Sequence, residues 1–244
     1  MPLATDNPFA APSVLPYELP DFAAIRDEHY QPAAEAGMAE HLAELAAIAA
    51  DTSEPTVASV IEAWESSGRL LTRTLNAFYA KQAADTNDVL DAVEAAIAPQ
   101  LAAHSDAIYL DRGLYQRVAA LARRVEAGEV ELDPQSAYWL ERRLLAFERS
   151  GVNLPEADQE RLRALNHRIA EVQSEFGRRA LAGLNAAAVL VTDPAELDGL
   201  SEAEIDGARE RASEQGHDQG WLIELDHTSG QRPLDVLRHR GLRE

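Results

Sequence analysis

The side chains best suited to chemistry in this chain are its histidines: His29, His41, His104, His167, His217, His227 and His239. A zinc centre that cleaves peptides needs two imidazoles one helical turn apart, with a glutamate beside the first to activate water, hence H-E-x-x-H on a helix. No two of these histidines stand four residues apart, so the pattern is absent. The nearest approach to a metal half-site is His167 with Glu171 and Glu175, which one helical face would present together. Solvated helices carry such pairs for ordinary electrostatic reasons. Glu28 beside His29, and Glu44 after His41, are weaker still. On the residues alone, no catalytic, cofactor-binding or metal-binding position is assigned in this chain.

Other chemistries lack a handle as well. With no cysteine there is neither a thiolate nucleophile nor a disulfide framework. No G-x-S-x-G elbow and no phosphate-cradling glycine loop occurs. The basic pairs Arg123-Arg124, Arg142-Arg143 and Arg178-Arg179 read as solvated helix faces. A formal net charge of −20 repels phosphate backbones and anionic headgroups, which argues against nucleic acid and membrane surfaces as partners. The opening residues show no basic and apolar leader, and no apolar run approaches the length of a membrane span. A soluble, cytoplasmic protein is expected.

The elements that would position any site are mainly helical. Residues 1–20 carry Pro2, Pro8, Pro12, Pro16 and Pro20 and read as an extended arm, with Phe9, Val14, Leu15 and Tyr17 available to dock in a groove. From Asp21 a helix is expected, interrupted at Pro32 and resuming through Met38, Leu42, Leu45 and Ile48. A second helix runs through Ile61, Trp64, Gly68, Leu71, Leu75 and Phe78, where Gly68 suggests a close helix crossing. Thr86 to Leu110 follows, with a kink near Pro99, then Leu114 to Ala127, then a helix opened by Asp133-Pro134 and stopped at Ser150-Gly151. Pro155 opens a long helix with Leu162, Leu165, Ile169, Val172, Phe176, Ala180 and Leu184 on one stripe. Residues 21–185 thus form a helical bundle. Over 186–244 the pattern becomes strand, helix, strand, from 187–192 and 221–225 around a capping box at Ser201 and Glu204, with a helical stretch at Leu234 and Leu237 that looks cut off. No clear domain boundary separates that excursion from the bundle.

Several ordered blocks resemble bacterial peptidyl-dipeptidases: NPFAAPSVLPYELPDFAAIRDEHYQPAAEAGM near the start, SGRLLTRTLNAFYA followed by ADTND, FERSGVNLPEADQERLRALNHRIAEVQSEFGRRAL, TDPAELDGLSEAEI and GWLIELDHTSGQRPL. They occur along nearly the whole chain in family order, and place it with the zinc oligopeptidases that include thimet oligopeptidase, neurolysin and oligopeptidase A. The resemblance implies a neurolysin-like amino-terminal helical domain, one wall and the roof of a channel that admits short peptides. It also implies a full-length parent that uses zinc and removes dipeptides from the carboxyl end. The zinc ligands and the residues that steady the tetrahedral intermediate lie later in full-length members, so none carries over to a position here. The partners expected are short peptides and the carboxyl-terminal catalytic half, with this chain inactive by itself. A second reading is a free-standing, non-catalytic helical module that binds peptides or a partner. A twofold homodimer through Trp221, Leu234 and Leu237 is also expected, because surface normally covered by the other half would be bare.

Overall fold

The computed structural model describes residues 3–225 and 231–244. The chain is mainly α, and the described residues contain one small two-stranded sheet. It divides into two compact units, Met1–Ser174 and Glu175–Glu244.

In the first unit, α1 spans Tyr30–Ala50 and starts later than the sequence suggested. Asp21 opens only turns, and a 3-10 turn at Asp27–His29 leads into the helix. Pro32 does not interrupt it, since in the first turn a backbone N–H has no intrahelical acceptor and its loss costs nothing. The expected helix through Ile61 and Phe78 is two pieces. A wide π turn at Val57–Glu62 runs into α2 (Ala63–Glu65), and α3 covers Arg69–Ala84. Gly68 makes the break, with φ +67°, a conformation that side-chain-bearing residues adopt at a cost. The Glu44 carboxylate accepts the Gly68 N–H at 2.7 Å and holds the turn against α1.

Gly37, rather than Gly68, is the point of close helix crossing. A Cβ built there would lie 2.7 Å from the backbone nitrogen of Leu71 and 2.8 Å from its Cα, so α1 and α3 meet almost backbone to backbone. That approach lets Tyr30, Ala33, Ala34 and Met38 reach Leu70, Leu71, Ala77 and Phe78 in one apolar cluster. Phe9 from the arm joins it, its ring 5.5 Å from that of Tyr30, which in turn meets Phe78 edge-on at 5.4 Å. Arg73 fixes the arm by donating to the Phe9 carbonyl from Nε at 3.0 Å and Nη2 at 2.7 Å. Short 3-10 turns at Pro8–Ala10 and Pro16–Glu18 interrupt the arm's extended stretches.

The next three helices are α4 (Asp88–Tyr109), α5 (Arg112–Glu126) and α6 (Pro134–Ser150). Asp133 opens α6 as the sequence implied, accepting the Gln135 amide, and Asn87 and Asp111 cap α4 and α5 in the same way. Helical geometry continues through Pro99, and α6 ends at Gly151. A second apolar cluster, including Leu45, Val60, Trp64, Leu114, Val118, Leu121, Phe147 and Val152, joins these helices to the far end of α1. Buried Arg117 ties α5 to the loop after α1, donating to Asp51 Oδ2 at 2.6 Å and Ser59 Oγ at 3.2 Å. After Pro155 comes α7, Glu156–Ala187.

In the second unit, β1 (Val189–Val191) and β2 (Trp221–Ile223) pair antiparallel, with Leu190 opposite Leu222. Between them lies α8, Glu202–Glu214, begun by the anticipated box: Glu204 accepts the Ser201 amide at 2.7 Å and Ser201 Oγ accepts the Glu204 amide. Hydrogen bonds from the Ser201 hydroxyl and from Arg232 bring the Glu204 carboxyl down to about 2. Val191, Leu197, Ala208 and Ile223 make the unit's core. The tail forms two short helices, α9 (Gln231–Val236) and α10 (Arg240–Arg243).

The backbone crossing at Gly37 yields a direct test. Gly37→Ala should destabilise the protein by about 1 to 3 kcal/mol in urea unfolding, because two backbones must separate. Gly177→Ala on α7, with nothing within 4 Å of the new methyl, should be neutral or stabilising by up to about 1 kcal/mol. A Gly37→Ala protein as stable as the parent would remove the crossing from the account.

Candidate functional site

Folding brings together two histidines that lie 63 residues apart in sequence. His41 on α1 and His104 on α4 face each other with Nδ1 and Nε2 3.0 Å apart and ring centroids at 5.1 Å. His41 also lies under the left-handed turn at Gly68, whose missing side chain leaves room for its ring at 3.0 Å. His104 is buried, and its Nδ1 has no hydrogen-bond partner among the described residues. Burial pushes its pKa down to about 4, with the neighbouring His41 adding to the shift. Burial also lowers His41, opposed in part by Glu44 and reinforced by Arg143. At neutral pH the pair is therefore uncharged and shares a single N–H···N bond. Its chemistry is that of a polar rivet between α1 and α4.

The remaining histidines are dispersed. His29 is buried; its Nδ1 accepts the Arg26 amide at 3.0 Å, and its carbonyl accepts from Asn7 Nδ2 at 3.0 Å, which anchors the arm. His167 is exposed on α7, 3.7 Å from Glu171. The carboxylates of that half-site are engaged by arginine: Arg168 reaches Glu171 at 3.0 Å and Arg179 reaches Glu175 at 2.6 Å. His217 is exposed, His239 caps α10, and His227 lies outside the described residues.

Zinc needs three or four converging donors. Among the described residues no group of three or more His, Asp or Glu side chains converges in that way. The His41–His104 pair points its facing nitrogens at each other rather than at a common point with a carboxylate. These donors do not fit zinc.

Some residues read as plain surface have structural work. The Arg143 guanidinium stacks over Trp64 at 4.6 Å and Trp139 at 4.8 Å and donates to Tyr109 Oη at 2.6 Å. Arg124 donates to the Pro55 carbonyl at 2.9 Å. Only part of the arm docks: Phe9 is buried, whereas Val14 and Tyr17 are 99% and 96% exposed. Leu237 is also buried, so the trio Trp221, Leu234 and Leu237 does not form one bare patch. On α7, Leu165, Ile169, Val172, Phe176 and Leu184 are all exposed.

No family model matches the chain. It is 40% identical over 242 residues to the dipeptidyl carboxypeptidase of Escherichia coli (strain K12), covering 99% of this chain and 35% of that protein. The dipeptidyl carboxypeptidase of Salmonella typhimurium is 37% identical over 238 residues, 98% of this chain and 35% of the relative. Oligopeptidase A of Haemophilus influenzae is 28% identical over 234 residues, 93% of this chain and 33% of the relative. The chain is thus similar to an amino-terminal part of oligopeptidase-family proteins. It spans about a third of the length of the curated relatives it matches. No helix among the described residues is long and apolar enough to cross a membrane.

The histidine rivet makes stability depend on pH. His104 in the folded state sits below its unfolded value, so its contribution is complete above about pH 6.5 and is lost as pH falls toward 4. Chemical unfolding should show a loss of about 2 to 3 kcal/mol across that window. His104→Gln, which can keep one hydrogen bond to His41 but cannot titrate, should lose less than half as much. Parallel pH profiles for the two proteins would rule out the buried pair.

Proposed function

We propose that this chain is the amino-terminal, channel-forming portion of a zinc metallopeptidase of the peptidyl-dipeptidase type, which removes dipeptides from the carboxyl end of short peptides. The observation that carries the reading is its similarity to dipeptidyl carboxypeptidase over 99% of the chain but only 35% of the relative. In this reading the chain supplies scaffold. The backbone-close crossing of α1 and α3, the aromatic cluster around Tyr30 and the histidine rivet hold a stiff wall, and the zinc ligands and the residues that work on the scissile bond belong to the remaining two thirds. The donor sets described above support that division, since none would place three ligands around one metal. Short peptides and the catalytic portion are the partners, and the cytoplasm is the compartment.

Two proteins test this: the chain alone, and a chimera joining it to the part of E. coli dipeptidyl carboxypeptidase that lies beyond the matched region. With an N-blocked tripeptide, the chimera should release the carboxyl-terminal dipeptide and carry one zinc, while the chain alone stays at the buffer rate. Zinc-dependent hydrolysis by the chain alone, or a folded, zinc-loaded chimera with no peptidase activity, would refute the reading.

A further inference from the structure

Where the arm meets the start of α1, one contact sets a donor against a donor. His29 is buried, and its Nδ1 accepts the Arg26 amide at 3.0 Å, so that nitrogen presents a lone pair. An imidazole that accepts at Nδ1 bears its proton at Nε2. Yet His29 Nε2 lies 2.9 Å from Arg26 Nη2, and a guanidinium offers only N–H groups and no acceptor. The Arg26 head is steadied in that position by Glu28, whose Oε1 accepts its Nε at 2.6 Å. Two N–H groups therefore converge with no acceptor between them, and a buried donor without an acceptor is costly to the fold.

Arg26 and His29 line a cavity of about 470 Å³ between the arm and the first turns of α1, the size of a small-molecule site. His29 is also the N-cap of α1 and makes no side-chain bond to the first-turn amides, so the positive end of a 21-residue helix lies at the same corner. The other charged side chains lining the cavity are acidic: Asp6, Glu28 and Glu35. Glu35 accepts Gln31 at 2.9 Å and Gln100 at 3.4 Å, both on Oε1, which leaves Oε2 for a ligand among the described residues.

We propose that this cavity binds a small zwitterion with one carboxylate and one ammonium group, the chemistry shared by free α-amino acids and dipeptides. The carboxylate accepts from His29 Nε2 and Arg26 Nη2, supplying the acceptor that the two donors lack in a charge-assisted pairing. Asp6 and Glu35 meet the ammonium. The charges select this class over its neighbours. Three carboxylates against one guanidinium repel phosphates and dianions, whereas a simple cation finds N–H donors at the buried end of the cavity. The site rests on the geometry of Arg26 and His29 and not on the oligopeptidase reading.

Nitrogen NMR of the isotope-labelled chain tests this, with glycine and glycylglycine as zwitterions and acetate and methylammonium as single-charge controls. Without ligand, His29 Nε2 should show the resonance of a protonated nitrogen. That resonance should shift saturably at millimolar glycine or glycylglycine, and the one that saturates first identifies an amino acid or a dipeptide as the ligand. Acetate and methylammonium should bind at least about tenfold more weakly than that zwitterion. Arg26 and Glu35 are exposed, so substitutions there should leave the amide spectrum of α1 and α3 unchanged. Arg26→Ala, which keeps the backbone bond to Nδ1, should weaken zwitterion binding about tenfold or more. Glu35→Gln should weaken zwitterion binding and leave that of acetate as it was. A lone pair on His29 Nε2, no shift with either zwitterion, a shift that survives Arg26→Ala, or acetate binding as tightly as glycine would each overturn the site.

Discussion

The first unit depends on one steric condition, that α1 and α3 approach until the Gly37 and Leu71 backbones nearly touch. Helix pairs bearing ordinary side chains stay 8–10 Å apart. Without a Cβ at residue 37 the gap closes, and the aromatic rings of Phe9, Tyr30 and Phe78 pack against one another in one cluster. The same approach sets His41 against the Gly68 turn and leaves it facing His104, so the polar rivet follows from the apolar crossing. Arg117 and Arg143 do comparable work farther along, each using a planar guanidinium to join elements that apolar contact alone would leave less sharply oriented.

Much of this was legible in the sequence because it is local. The caps at Asp133 and Ser201 act within a turn, and the two short strands are bounded by breakers on either side. Failures arose where tertiary contacts decide. Gly68 sits in an apolar three-four pattern that runs straight through it, and only the Glu44 carboxylate and the His41 ring show why the helix must break there. Pro32 looked like a breaker but occupies a first turn, where it is harmless. His104 did carry a readable signal, since it falls in the apolar register of Ile97, Leu101 and Ile108. A histidine in that register announces burial, and burial requires a partner, but its identity 63 residues away does not follow from spacing. The apolar stripe of α7 was visible as a pattern; that it lies bare was visible only in the fold.

Two features stand out among the described residues: the close crossing of α1 and α3, and a long helix that carries exposed apolar side chains. The chain spans about a third of the length of the relatives it resembles. Within the proposed peptidase, rigidity in the wall has a chemical purpose. A channel excludes folded proteins only if its sides hold their spacing, and a flexing wall would admit larger substrates and misplace short ones relative to the metal.

The most direct test of this account is to read the gene beyond the codon for Glu244. The account predicts an open frame that continues for roughly twice the length already read and encodes H-E-x-x-H on a helical segment. A stop codon there, or a continuation without any zinc-binding pattern, would contradict it.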